Sequence, residues 1–207
     1  MRPSPGLRPT SPADAGEVEN MRPSPGLRPT SPADTGEVKS SAVTGDVLER
    51  ARRVRLLVLD VDGVLTDGRL HITAHGEETK VFHVRDGSGL VALQRAGVPV
   101  AIISGRDSAA VTRRAAELGI AHVRQGIVDK GAALDELLAQ LGLSHDALGC
   151  VGDDTPDVPM LQRAALAVAV ADAHPTARAV AHWITPTSGG HGAVRDVCDL
   201  LLAARAS

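Results

Sequence analysis

Residues 54–68 carry the sequence VRLLVLDVDGVLTDG, from which the interpretation of the rest of the chain starts. The apolar run Val54–Leu59 is continuous rather than alternating, which is typical of a parallel β-strand covered on both faces. Asp60 and Asp62 follow this run directly. In open α/β sheets, ligands bind beyond the carboxyl ends of the strands. The stretch therefore predicts a buried first strand that ends in two carboxylates at a ligand site.

Apolar runs and helical segments alternate along the rest of the chain. Further strands are predicted at Val98–Ile103, Leu148–Val151 and Leu166–Val170. Helices are predicted at Gly89–Ala96, Ser108–Leu118, Lys130–Leu141 and Asp157–Ala164. This order predicts an α/β fold with a doubly wound parallel sheet.

One insertion interrupts the alternation directly after the first strand. Arg69–Thr73 and Glu78–Val84 have strand-like composition, and Gly76 lies in the short segment between them. Two such runs around a glycine-containing turn predict a β-hairpin.

Polar residues stand at the predicted carboxyl ends of three strands. They are Asp60 with Asp62, Ser104-Gly105-Arg106 and Gly152-Asp153-Asp154, while Lys130 opens the helix before the last of these strands. Converging carboxylates repel one another and lose solvation unless a cation neutralises them. Oxygen donors of this kind favour Mg²⁺ among the common metal ions. The pattern therefore predicts a magnesium site.

The same residues suit phosphoryl transfer. Ser104, the backbone amides that follow it and the ammonium of Lys130 can surround the oxygens of a phosphoryl group. Asp60 can act as a nucleophile that forms an acyl phosphate. Asp62, two residues on, can protonate the leaving oxygen and then deprotonate the attacking water.

These residues resemble the four ordered motifs of the haloacid dehalogenase-like phosphatases, and the resemblance runs from about residue 54 to 202. Within that superfamily the chain is similar to the 3-deoxy-D-manno-octulosonate 8-phosphate (KDO 8-phosphate) phosphatases. The stretches that carry this second resemblance are Phe82–Gly87, Val170–Pro175 and Gly189–Leu201. It implies hydrolysis of KDO 8-phosphate in lipopolysaccharide precursor synthesis. It also implies an enzyme without a separate cap domain, whose hairpin helps to form a homotetramer in which a neighbouring subunit closes each active site.

The resemblance also implies roles for individual residues. Asp60, Asp62 and Asp153 would bind Mg²⁺, with Asp62 binding through its carbonyl. Asp154 would support this site. The sequence leaves two roles open for Asp157, which could support the metal site or begin the next helix, and we favour the supporting role. The sugar acid and its phosphate would be held by His83, Val84, Arg85, Asp86, Gly87, Arg106, Arg114 and Lys130.

Two departures from the family pattern keep alternatives open. Members commonly carry a basic residue where Val91 stands and an arginine where His191 stands. A phosphatase of a related nine-carbon sugar-acid phosphate is therefore a second hypothesis. A phospho-acceptor receiver domain or another non-catalytic regulatory domain is a third, although a receiver would not place its carboxylate pair after Lys130.

Composition narrows the class of partner. The 207 residues have a formal net charge of −3 and contain one Trp, one Phe and no Tyr. Nucleic acids and anionic membrane surfaces favour a basic patch, and single-stranded nucleic acids also favour aromatic platforms. We therefore expect a small-molecule substrate and neither a nucleic-acid nor a membrane partner.

Cysteine content and hydropathy indicate a cellular compartment. Cys150 and Cys198 are the only cysteines, which is too few for an extracellular disulfide framework. The chain has no apolar run of ~18 residues and no secretory signal at its N-terminus. Cytoplasmic residence is the expectation.

The first 40 residues are a tandem duplication. The sequence MRPSPGLRPTSPADAGEVEN is followed by a copy that differs at three positions. Its Pro, Ser and Gly content predicts a disordered tail over residues 1–45, ahead of a phosphatase domain over residues 50–205. Met21 is a candidate alternative start.

Overall fold

The structure is a computed structural model that describes residues 42–206. Its strands are β1 Leu56–Leu59, β2 His71–Ile72, β3 Glu78–Thr79, β4 Val100–Ile103, β5 His122–Arg124, β6 Leu148–Gly152, β7 Leu166–Ala169 and β8 Trp183–Ile184. Six of them form a parallel sheet in the order β5-β4-β1-β6-β7-β8, and β2 and β3 form a separate antiparallel pair. The predicted doubly wound α/β fold and its hairpin insertion are confirmed.

The helices form two groups. They are α1 Gly45–Arg53, α2 Val84–Arg95, α3 Ala109–Leu118, α4 Lys130–Leu141, α5 Val158–Leu161, α6 Pro175–Val180 and α7 Ala193–Ala206, with short 3₁₀ helices at His145–Ala147 and Thr155–Asp157. Helix α7 packs against α1 and α2, whereas α5 packs against α4 and α6. Every residue of β1, β4, β6 and β7 is buried, as expected for strands covered on both faces. Among residues 42–206, no helix has the length and apolar character to cross a membrane.

The sheet order creates a switch point beside β1. From β1 the chain proceeds to β4 and β5 on one side, and then crosses to β6 on the other side. Leu59 pairs with Val151 in the parallel register of β1 and β6, so both strands end at the same edge of the sheet. Ligand sites in open α/β sheets lie at such switch points.

Two short strands and several boundaries differ from the sequence prediction. Strand β5 has three half-buried residues, two of them polar, and β8 has two residues, so neither produces an apolar run. Helix α1 begins at Gly45, ahead of the predicted domain start at residue 50. Residues 1–41, which contain the duplicated segment, lie outside the described residues.

The hairpin is shorter than predicted, and helix α2 is longer. The expectation of a strand through Val84 is wrong, because Val84 is the first residue of α2. Helix α2 thus starts five residues before Gly89, where the sequence placed it. A side chain at Gly89 would place its Cβ 3.1 Å from the Cβ of Cys198, so glycine lets α2 approach α7 closely. Gly89 therefore serves the packing of α2 against α7 and does not mark the start of α2.

Candidate active site

Three carboxylates converge at the switch point. Asp60 follows β1, Asp153 follows β6, and Asp157 ends the 3₁₀ helix that comes next. One oxygen from each lies within 4.8 Å of the others. Asp60 and Asp157 are buried, and Asp153 is half-buried. The structure thus brings Asp60 and Asp153 together at the ends of neighbouring strands.

Asp157 organises the cluster from beneath. Its Oδ2 accepts hydrogen bonds from the backbone amides of Asp153, at 2.9 Å, and Asp154, at 3.2 Å. Its Oδ1 lies 2.6 Å from Nζ of Lys130. Protein donors therefore bind both oxygens of Asp157. The carboxylate of Asp154 turns aside and accepts a hydrogen bond from the amide of Thr155.

Lys130 is the cation of the cluster. It is the first residue of α4, whose N-cap Asp129 accepts a hydrogen bond from the amide of Ala132 at 3.0 Å. Its ammonium lies 2.7 Å from Oδ1 of Asp60 as well as against Asp157. Burial alone would lower the pKa of Lys130, but the charges of these two carboxylates outweigh burial and the net pKa is raised. The side chain therefore carries a positive charge.

One ammonium does not balance three carboxylates. Burial, followed by the charge of Asp157, raises the pKa of Asp60 to about 6. Burial, followed by the charges of Asp157 and Asp60, raises the pKa of Asp153 to about 8. Both groups therefore resist ionisation unless a further cation is present. An all-oxygen set with excess negative charge fits Mg²⁺.

Gly63 allows Asp153 to reach this position. Its φ is +94°, which favours glycine, and a Cβ on residue 63 would overlap the carboxylate of Asp153. A Cβ on Gly189 would in turn overlap the carbonyl of Gly63. The loop after β1 therefore fits closely between Asp153 and the segment before α7.

A cavity of about 290 Å³ opens above the carboxylates. Its lining includes Asp60, Asp62, Ser104, Gly105, Arg106, Lys130, Asp153, Asp154 and Asp157. Ser104 is buried at the end of β4, and its Oγ accepts a hydrogen bond from the amide of Arg106 at 3.4 Å. The structure thus brings the predicted carboxylates, hydroxyl and lysine together around one space.

Sequence reasoning missed two charged residues at this site. Lys80 donates a hydrogen bond to Oδ1 of Asp62. Glu78 accepts one from Arg106 at 3.0 Å and lies 3.2 Å from Nζ of Lys80. Burial alone would raise the pKa of Glu78, but Lys80 and Arg106 lower it overall. Glu78 and Lys80 carry opposite charges two residues apart, so on an extended hairpin arm they share one face. This spacing was the signal in the sequence that could have identified them.

The remaining predicted substrate residues lie elsewhere in the single chain. His83, Asp86, Gly87 and Arg114 line a second, apolar cavity, and Val84 is exposed. Asp86 is 1% exposed, and its Oδ1 accepts a hydrogen bond from the amide of Arg195 at 2.8 Å. A Cβ at Gly87 would overlap the guanidinium of Arg114.

These positions change the expected substrate contacts. The carboxylate of Asp86 holds the first turn of α7, so the prediction that it contacts substrate directly does not fit its burial. Arg85 lies near Gly192, on the segment that packs against the loop after β1. Within one chain, His83–Gly87 and Arg114 are thus separate from the cavity that Asp60 lines.

Known proteins resemble this chain in sequence and in fold. A profile of the haloacid dehalogenase-like hydrolases matches residues 119–196. The 3-deoxy-D-manno-octulosonate 8-phosphate phosphatase KdsC of Yersinia pestis is 47% identical over 163 residues, which cover 79% of this chain and 87% of that protein. The enzyme of the same name from Escherichia coli K12 gives the same values.

Solved structures agree with these matches. The phosphatase of the same name from Moraxella catarrhalis, in complex with magnesium, phosphate and KDO, matches with a TM-score of 0.77 and 43% identity over 78% of this chain and 92% of that chain. The Yersinia pestis structure has a TM-score of 0.77 and 47% identity over 78% of this chain and 88% of that one. The chain therefore belongs to the 3-deoxy-D-manno-octulosonate 8-phosphate phosphatase family of haloacid dehalogenase-like hydrolases.

Proposed function

We propose that this protein is a Mg²⁺-dependent phosphoric monoester hydrolase that converts KDO 8-phosphate to KDO and phosphate, in lipopolysaccharide precursor synthesis. The observation that carries the proposal is the buried contact of Lys130 with Asp60, beside Asp153 and at the switch point of the sheet. Family membership supports the choice of substrate.

The first half-reaction transfers the phosphoryl group to Asp60. Lys130 binds Oδ1 of Asp60, so Oδ2 is the oxygen that attacks phosphorus. The bond from phosphorus to the sugar oxygen breaks, and Asp62 donates a proton to that oxygen. Ser104 and Lys130 hold the oxygens of the phosphoryl group during the transfer.

The second half-reaction hydrolyses the acyl phosphate. A water molecule attacks phosphorus and passes a proton to Asp62. The bond from phosphorus to Asp60 breaks, which releases inorganic phosphate and restores both side chains.

Three residues would hold the metal ion. They are Asp60 and Asp153 through their carboxylates and Asp62 through its carbonyl, with Asp157 behind them. When bound, Mg²⁺ supplies positive charge that neutralises the carboxylates and the phosphoryl oxygens. The raised pKa values of Asp60 and Asp153 support this assignment, because they indicate a site short of positive charge.

The sugar-acid contacts favour a site completed by a second subunit. His83–Gly87 and Arg114 do not line the cavity of Asp60 within one chain. The hairpin also exposes apolar side chains, among them Ile72, which is 61% exposed. A homotetramer in which the hairpin contacts a neighbour would cover these side chains and bring arginines to the carboxylate of the sugar acid.

Residence in the cytoplasm is part of the proposal. Cys150 and Cys198 are both free and buried. Burial raises the pKa of both thiols, so neither is reactive as a thiolate at neutral pH.

A steady-state screen of the full chain against sugar and sugar-acid phosphates tests the proposal. We expect KDO 8-phosphate to give the highest kcat/KM, with activity lost in EDTA and restored by Mg²⁺. Light scattering on the same sample is expected to give the mass of four chains.

Three outcomes would contradict separate parts of the proposal. Preference for a nine-carbon sugar-acid phosphate would overturn the substrate, and Val91 and His191 would then be the first positions to exchange. Activity that resists chelation would overturn the metal site. Failure to hydrolyse any phosphate ester would overturn the function.

A further inference from the structure

The hairpin buries a lysine against the predicted general acid. The side chain of Lys80 is 3% exposed, although its neighbour Val81 and Ile72 on the facing arm are exposed. Its ammonium donates a hydrogen bond to Asp62 and lies 3.2 Å from Glu78. A buried ammonium is costly unless it is paired. Here Lys80 pairs with Asp62, which lines the same cavity as Asp60.

The two oxygens of Asp62 are in different environments. Oδ1 accepts the hydrogen bond from Lys80. Oδ2 is buried and has no hydrogen-bond donor among residues 42–206, and Nε of Arg106 is 3.7 Å away. One oxygen is therefore anchored by Lys80, while the other has no hydrogen bond of its own within the described part of the chain.

Glu78 holds the ammonium of Lys80 and the guanidinium of Arg106 in place beside Asp62. Its carboxylate lies 3.2 Å from Nζ of Lys80 and accepts a hydrogen bond from Arg106 at 3.0 Å. Two carboxyl groups and two cations thus form a closed network that we call the hairpin network: Asp62, Glu78, Lys80 and Arg106. Because Glu78 belongs to β3, the antiparallel pair determines where Lys80 stands relative to Asp62.

We propose that Lys80 is a positioning residue for proton transfer, which holds Asp62 Oδ1 and leaves Oδ2 as the oxygen that carries the proton. This inference rests on the proposed phosphatase function. When Asp62 gives its proton from Oδ2 to the sugar oxygen, the bond from phosphorus to that oxygen breaks and Asp62 becomes negative. The ammonium of Lys80 then stabilises this charge at hydrogen-bond distance.

Leaving-group dependence tests the proposal. The sugar alkoxide of KDO 8-phosphate needs a proton as it leaves, whereas p-nitrophenolate leaves without one. In each case kcat/KM reports steps up to and including transfer to Asp60, because that transfer is the first irreversible step. We expect Lys80→Met to lower kcat/KM about 100-fold for KDO 8-phosphate, within the range of general-acid catalysis. The loss for p-nitrophenyl phosphate should be much smaller.

Two further variants sharpen the test. Lys80→Arg keeps the charge and should recover part of the lost activity on KDO 8-phosphate. Glu77→Gln removes the same charge as Glu78→Gln from an exposed neighbouring position outside the hairpin network, and only Glu78→Gln should reproduce the selective loss. Thermal melting and light scattering on each variant report folding and assembly.

An equal loss on both substrates would overturn the proposal, since unfolding, disassembly or weaker phosphate binding affects both esters alike. Unchanged kinetics in Lys80→Met would also overturn it. The proposed function fails separately, if the wild-type protein hydrolyses neither ester. If the wild type prefers another sugar phosphate, that ester replaces KDO 8-phosphate, because its alkoxide needs the same proton.

Discussion

Nζ of Lys130 lies 2.7 Å from Oδ1 of Asp60, although the two residues are 70 positions apart in the chain. One residue follows β1 and the other begins α4, so the contact forms only when the sheet and its covering helices assemble. The same ammonium lies 2.6 Å from Asp157. The contact therefore links the stability of the domain to its proposed chemistry.

Asp60→Asn should abolish phosphate release while the fold remains intact. An amide is not a nucleophile toward phosphorus, and losses on removing one member of a catalytic group are on the order of 10⁴–10⁶-fold. Melting temperature should not fall, because the substitution removes a charge that burial disfavours and Lys130 keeps Asp157. Phosphate release and thermal melting measure the two effects.

Asp146→Asn removes a charge at an exposed position and is the matched control. Near-normal turnover of Asp60→Asn would exclude the phospho-aspartate.

Lys130→Met should cost both stability and activity. Lys130 is 4% exposed, and its loss leaves Asp60 and Asp157 without their cation. Breaking a buried pair in this way typically costs about 3–5 kcal/mol of unfolding free energy. Urea unfolding in EDTA measures this loss of unfolding free energy.

Arg113→Met is the control, because it removes the exposed pair with Glu117 and should change stability by less than about 1 kcal/mol. Equal losses in the two variants would contradict the account of Lys130.

Gly63→Ala should weaken the metal site in particular. A Cβ at residue 63 overlaps the carboxylate of Asp153, and φ is +94°. We expect the Mg²⁺ concentration for half-maximal activity to rise about 10- to 100-fold, as for other changes around metal ligands.

Gly97→Ala separates this effect from backbone strain. Gly97 has φ of +84°, and a Cβ there would meet no atom of residues 42–206 within 4 Å beyond its chain neighbours. Both variants therefore share a left-handed backbone cost of roughly 1–2 kcal/mol. Only Gly63→Ala should change the Mg²⁺ dependence. An identical shift in both would mean that strain alone is responsible.

Without Mg²⁺, stability should fall as pH rises from about 4 to about 8. The pKa values of Asp60 and Asp153 are raised to about 6 and about 8, so between their unfolded and folded values the native state binds more protons than the unfolded state. Their contribution is fully present below pH ~4 and is lost as pH rises through the folded values.

Thermal melting in EDTA and in Mg²⁺ at several pH values checks this dependence. Added Mg²⁺ should raise the melting temperature more at pH ~8 than at pH ~5, because it binds ionised carboxylates. Asp153→Asn should flatten the slope in EDTA. A slope of the opposite sign in the wild-type protein would contradict the crowding of these carboxylates.

The central strands and most of the proposed catalytic residues were predictable from the sequence. Continuous apolar runs identify buried parallel strands, and the carboxyl ends of neighbouring strands meet at one edge. Asp60, Ser104 and Asp153 each follow such a run, and Lys130 begins a helix whose bounds the sequence predicted. The sequence therefore predicts that these side chains meet at one edge of the sheet.

Contacts between distant side chains required the tertiary structure. Lys80 and Glu78 sit on a hairpin with strands of two residues, and no periodicity in that stretch indicates that they reach Asp62. The burial of Asp86 against Arg195 depends on how α7 packs against α2.

The sequence by itself thus determined the fold class and the carboxylates at the ends of its strands, because strand burial and strand direction are written in local hydrophobic patterns. Only the tertiary structure decided that Asp157 supports the cluster, that Lys80 holds one oxygen of Asp62, and that Arg114 lies outside the cavity of Asp60. The physical reason is that these contacts depend on loop paths and helix packing, which bring together residues with no local relationship in the chain.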